Sequence, residues 1–190
     1  MNLKPARQYS EFDVLPYFAL NTATGSKGTP VVISNSGVNT NNSTPTVHSN
    51  LAAGLNKGNT YSPRWEIYPR VRAAVSGEKP IGITLYDTLE NNQFNYPLLY
   101  DKQRREELQA VLSGQAVPIL CKGVVTVGPF AAGETPHPSG KFLAVKGTGD
   151  LGVTTLTSGT SGVAPANAFG RFLGSKDSDG YAMVQFDCNL

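Results

Sequence analysis

Two histidines, two cysteines, a few closely spaced carboxylates and one glycine-rich run are the features of this 190-residue chain whose chemistry is worth testing. His48 and His137 lie in Pro/Ser/Thr-rich sequence, away from any strand-end nucleophile. Neither has a second histidine at the i, i+4 spacing of a helical zinc site. Both are expected to be solvated loop residues. Cys121 and Cys188 sit in apolar, strand-like runs without the near neighbour of a Cys-x-x-Cys knuckle. They read as a buried pair of free thiols, with a disulfide between them as the alternative. Asp177 and Asp179 before Gly180 resemble the opening of a calcium loop. That loop needs a third ligand before the glycine and a bidentate Glu near its end, whereas here Tyr181 starts an apolar strand; a hairpin turn is the expectation.

The run Gly147-Thr-Gly-Asp-Leu-Gly152 has the letters of a dinucleotide fingerprint but not its context. The motif works when a strand feeds it and a helix leaves it, aiming backbone N–H groups at a pyrophosphate. Here Val153-Thr-Thr-Leu-Thr-Ser-Gly follows, a β-prone run, so a flexible loop is expected. Thr160-Ser161-Gly162 lacks the Gly-x-Ser-x-Gly elbow and a nearby base. Glu106 and Glu107 fall on the polar side of a candidate helix, where paired-acid catalysis finds no support. These readings assign no catalytic residue, no cofactor, no cofactor-binding residue and no metal ligand, and the chain is not expected to be an enzyme or to take a small-molecule ligand.

The elements around these residues follow from composition. Hydrophobic residues reach 39% and charged residues only 16%, with 20 Gly and 13 Pro. That mixture favours short strands and turns over long helices. The net charge is +2, and the only dense basic run, Lys102 to Arg105, is followed at once by Glu106 and Glu107. No nucleic-acid partner is expected. No window carries the apolar length of a membrane span, and Met1 to Val14 lacks the apolar stretch of a secretory signal, so a soluble, cytoplasmically synthesised protein with no membrane partner is expected.

Along the chain, residues 1–13 read as an extended N-terminal arm that orders only against a partner or its own barrel. Val14–Leu20 and Pro30–Ser34 read as a first strand and its hairpin partner, and the polar stretch 35–63 as a long inserted loop. Tyr68–Val75 and Pro80–Tyr86 are two strands about a Ser76–Lys79 turn. In the second, Gly82 is expected to let a neighbour approach closely on a half-buried strand. A helix is expected over 102–112, capped by Asp101 and ended by Gly114, although Ala110-Val111-Leu112 could equally begin a strand. Ala116–Cys121, Gly123–Val127 and Lys141–Val145 are sequential strands. A Gly/Thr/Ser-rich excursion over 147–163 follows, and Phe169–Leu173 with Tyr181–Phe186 form a closing hairpin around Lys176–Gly180. The fold class is mainly β: one small β-barrel-like domain over 14–190 with at most one short helix.

Taken together, Ala73 to Thr84, Ala116 to Val127 and Phe169 to Phe186 resemble the capsid decoration, or cement, proteins of tailed bacteriophages. The motifs are Pro80-Ile-Gly-Ile83, Gly114-Gln-Ala-Val-Pro-Ile119, Gly123-Val-Val125 and Gly170-Arg-Phe-Leu173. Leu15 to Leu20 with Lys27 to Val32 is similar to the first hairpin of such proteins, and about half the chain is covered. The resemblance implies a β-barrel or β-tulip domain, a homotrimer, and the major capsid protein as partner. It further implies a place on the outer surface of the virion, where a structural protein stabilises contacts between capsid subunits. Aromatic residues dominate interface hot spots, so Leu3, Tyr9 and Phe12 of the arm, with Trp65, Ile67 and Tyr68, are the expected partner-binding residues. The alternative is a carbohydrate-binding or host-adhesion β module on the virion surface.

Overall fold

Short β-branched and aromatic runs, broken every few residues by Gly, Pro or small polar side chains, leave backbone amides that only neighbouring strands can satisfy. The computed structural model describes residues 2–8, 10–20, 25–34, 70–112, 115–130, 133–155 and 165–188, and these are mainly β. Five strands close a small barrel: β2 (Val14–Leu20), β3 (Pro30–Ile33), β4 (Arg70–Ala73), β5 (Gly82–Thr84) and β8 (Ala116–Leu120), in the ring order β2-β4-β3-β5-β8. Closure removes the free strand edges that an open sheet of this size would expose.

Between β5 and β8 the chain leaves the barrel and adds β6 (Asp87–Thr88), the helix α1 (Lys102–Leu108) and β7 (Ala110–Val111), with β6 and β7 paired in parallel. Asp101 caps α1 as expected, its carboxylate accepting from the Arg104 N–H at 2.9 Å. The helix stops at Gln109, which takes the left-handed conformation (φ 51°), so the expected 102–112 helix is shortened and its last residues become strand.

After β8, a single residue, Cys121, carries the chain into a second, open sheet. It contains β1 (Asn2–Gln8), β9 (Lys122–Gly128), β10 (Lys141–Lys146), β11 (Asp150–Thr155), β12 (Ala168–Phe172) and β13 (Ala182–Asp187), in the order β1-β9-β13-β12-β10-β11. Its inner face packs on the barrel wall. Along β8, Val117 and Ile119 pack in the barrel cluster while Leu120 belongs to the sheet-side cluster with Ile83, Val125, Val184 and Phe186. Edge-to-face pairs tighten that layer: Phe130 on Phe172 at 5.6 Å and Phe169 on Phe186 at 6.2 Å.

Several expectations are corrected. The strands 14–20 and 30–34 are not a hairpin: β2 pairs β4 in parallel (Leu20 opposite Val71) and β8 antiparallel, while β3 lies between β4 and β5. Barrel closure dictates this, since each strand must find two partners and sequence neighbours are not obliged to be among them. For the same reason the strands flanking the Ser76 turn do not pair with each other; β3 lies between them. The 147–163 excursion contains β11, a full antiparallel partner of β10, and its glycine run is the hairpin turn, with Gly147 and Gly149 at positive φ. The arm, expected to order against a partner or its own barrel, lies against the chain's own open sheet. Residues 2–8 add an edge strand to the open sheet, antiparallel to β9, and Leu3 sits in the core at 6% exposure. The strand at Gly82 is buried throughout rather than half-buried, because both the barrel interior and the sheet cover it. The inserted loop 35–63 lies outside the described residues.

Candidate docking surface

Among the described residues, the histidine and the carboxylates that invited a chemical reading do not converge. His137 is exposed, its Nδ1 accepting from the Ser139 N–H at 3.1 Å, and His48 and Ser161 lie outside the described residues. Asp177 closes the hairpin turn, accepting from the N–H groups of Asp179 (3.0 Å) and Tyr181 (2.7 Å). Glu106 and Glu107 pair with Lys102 and Arg104 on the solvated side of α1. Among the described residues no group of three or more His, Cys, Asp or Glu side chains is placed to hold a metal ion, and no helix is long and apolar enough to cross a membrane.

The carboxylates that are well held are structural. Glu134, 8% exposed, accepts from the Lys146 ammonium and from the Val153 N–H at 3.0 Å, so it ties the loop before β10 to the β10–β11 hairpin. Burial raises its pKa, but the Lys146 hydrogen bond and the Val153 amide outweigh that and hold it below the usual carboxylate range. Glu78 takes two hydrogen bonds from the Arg72 guanidinium and one from the Val75 N–H, which bring it down to about 2.

The surface unsuited to water lies at one rim of the barrel. The strand directions bring the starts of β2 and β5 and the ends of β3 and β8 to that rim. There Phe12, Leu15, Phe18, Ile33 and Ile81 line a hollow of about 270 Å³, with Cys121 and Cys188 also in its lining. Phe12 is 96% exposed and Ile33 52%. The Phe12 backbone is nonetheless held by a capped single turn. Ser10 Oγ accepts from the Phe12 N–H (3.3 Å), and the Ser10 N–H donates to Asp13 Oδ2 (3.2 Å). A backbone already ordered by its own turn leaves mainly the side chain's freedom to be lost on meeting a partner. Burial pushes the Cys121 thiol up to about 11 and the Cys188 thiol up to about 12.

Lys122, in an ion pair with Asp187 at 3.2 Å, separates this socket from a shallower groove of about 630 Å³ on the outer face of the open sheet. Phe142 lies in that groove beside Arg171, which donates twice to Gln185 Oε1 at 2.9 and 2.6 Å. Past the opposite rim, after β5, a short finger over 91–97 presents Phe94 and Tyr96, 67% and 68% exposed. Asn92 Oδ1 accepts from both of their N–H groups, at 2.9 and 3.0 Å, and Asn95 turns the tip at φ 63°.

Of the six residues expected to bind a partner, Phe12 is on this surface. Leu3 is in the core, a correction that follows from its pairing opposite Val127. Tyr9, Trp65, Ile67 and Tyr68 lie outside the described residues. Leu15, Phe18, Ile33 and Ile81, which line the hollow, and the exposed Phe94 and Tyr96 were not among the six. One signal was available: Val14–Leu20 and Pro30–Ile33 are apolar on both faces, and a barrel strand can bury only one face inside. No family model, no curated protein and no solved structure matches this chain.

Proposed function

We propose that the chain is a structural virion protein that binds the outer surface of a tailed-phage head and ties neighbouring major capsid subunits together, acting as a homotrimer. The observation that supports this best is the apolar socket at the barrel rim, with Phe12 held in water by a capped turn and Ile33 and Ile81 beside it. Exposed apolar surface on a small barrel, with no convergent polar chemistry among the described residues, fits a docking role better than a catalytic one. A standard contact buries about 1,600 Å² and spans a wide range of affinity. Several made at once by a symmetric trimer act at high effective concentration. The clamp therefore needs no single strong site.

The test is co-sedimentation of the purified chain with empty tailed-phage capsids lacking a decoration protein, alongside light scattering for its oligomeric state. Wild type should pellet with capsids and Phe12→Ser should pellet far less while folding normally. A monomer that stays in the supernatant would reject the reading. A second reading, a carbohydrate-binding module, draws on the groove with Phe142 beside the Arg171–Gln185 pair, a ring face next to hydrogen-bonding groups. Glycan-array binding lost in Phe142→Ala would move the assignment there.

A further inference from the structure

We propose that Cys121 and Cys188 are a dithiol that closes, on exposure to a peroxide, into an intramolecular disulfide fastening the last strand to the junction between barrel and open sheet. The chain has only these two cysteines, far apart in sequence and both free. The β13–β9 ladder runs as far as Asp187 opposite Lys122, and one step further the Cys188 N–H donates to the Cys121 carbonyl at 2.8 Å. The ladder's register sets Cys188 opposite Cys121, and directly opposed residues of an antiparallel pair lie roughly 4.5–5.5 Å apart at Cα. That lies inside the window of about 4.4–6.8 Å from which a disulfide closes without backbone movement. Both residues line the same socket.

The two thiols are not equivalent. Cys121 is half-buried and reachable through the socket, whereas Cys188 is 3% exposed. Peroxide therefore meets Cys121 first. The Cys121 thiol gives up its proton as its sulfur takes the peroxide's hydroxyl, the O–O bond breaks, and the departing hydroxide carries that proton away as water, giving the sulfenic acid. The Cys188 sulfur then attacks the Cys121 sulfur, the S–S bond forms, the S–O bond breaks and water leaves with the Cys188 proton. Two electrons pass from the thiol pair to the peroxide. Burial keeps both groups protonated, which makes closure slow and leaves the pair reduced in a cytoplasm.

The cross-link would join the β8–β9 junction, in the lining of the socket, to the end of β13. On the docking reading above, it would stiffen the clamp after the particle has left the reducing cell, but the chemistry does not depend on that reading. Peroxide treatment of the purified full chain should lower its intact mass by about 2 Da and make both cysteines refractory to alkylation after denaturation. The product should run as a monomer without reductant and melt roughly 10 °C higher, reversibly with dithiothreitol. Cys188→Ser should stop at a Cys121 sulfenic acid that dimedone traps, and Cys121→Ser should give no adduct. Unchanged mass with both thiols still alkylatable, or disulfide-linked dimers, would overturn the proposal, and the wild-type result alone decides it. Capsid binding of the reduced chain is scored separately, so either idea can fail without the other.

Discussion

Gly82→Ala is expected to open the barrel at the seam between β5 and β8. A Cβ on residue 82 would lie 2.4 Å from the Leu120 carbonyl oxygen, 2.6 Å from Ile119 Cγ2 and 3.0 Å from the Leu120 carbonyl carbon. Two of these are backbone atoms of β8 and cannot rotate away, so β5 must move off β8. The seam is held by two residue pairs, Ile83 with Leu120 and Thr84 with Ile119, both carrying buried side chains, and by the Leu85 N–H donating to the Pro118 carbonyl at 2.9 Å. Overpacking a closed core costs about 1–3 kcal/mol, and a clash with backbone belongs at the upper end. A loss of about 3 kcal/mol lowers the melting temperature of a chain this long by roughly 6–12 °C. Urea unfolding followed by far-ultraviolet circular dichroism measures it. Gly174→Ala is the control, because its Cβ would meet nothing within 4 Å, and it should stay within about 0.5 kcal/mol of wild type. If Gly82→Ala matched that control, the close approach of β5 to β8, and the ring it closes, would be wrong.

Glu134→Gln, which leaves Lys146 facing a neutral amide, should cost about 2 kcal/mol by urea denaturation. Because Glu134 and Glu78 both titrate lower when folded than their unfolded value of 4.5, their stabilisation is complete above that value and is lost as pH falls through the folded pKa, for Glu78 about 2. The urea midpoint should therefore drop between pH 5 and pH 2.5, and a flat profile would contradict both assignments. Phe12→Ser, at a fully solvated ring, should leave stability within about 0.5 kcal/mol while depleting capsid co-sedimentation. Asn92→Ala removes the acceptor shared by Phe94 and Tyr96. It should speed amide hydrogen exchange across the finger without moving the global melting temperature; unchanged exchange would show that Asn92 does not order the tip.

Local order was well marked in the residues. Strand after strand falls where β-branched runs meet Gly or Pro, Asp101 sits where the helix is capped, and Asp177-Ser-Asp-Gly180 is the turn its letters suggest. Gly82 announced a close approach, and the neighbour turned out to be β8. The docking surface was much less legible. Leu3, read as a gripping residue, is core, while Leu15 and Ile81, read as strand interior, line the socket. A strand's two faces look alike in sequence when both are apolar, so the letters cannot say which face the barrel encloses and which is left to water.

What the sequence by itself determined was much of the set of short β elements and their turns, because these depend on backbone propensity and neighbours a few residues away. Only the tertiary structure decided which strands pair, that β2 lies beside β4 rather than β3, that residues 2–8 join a second sheet, and that Cys121 and Cys188 meet. Those outcomes turn on closing a ring and covering its outer wall. Hydrogen-bond ladders between strands are chemically alike, and the choice among them is made by how much apolar surface the whole assembly buries, a quantity no local window contains.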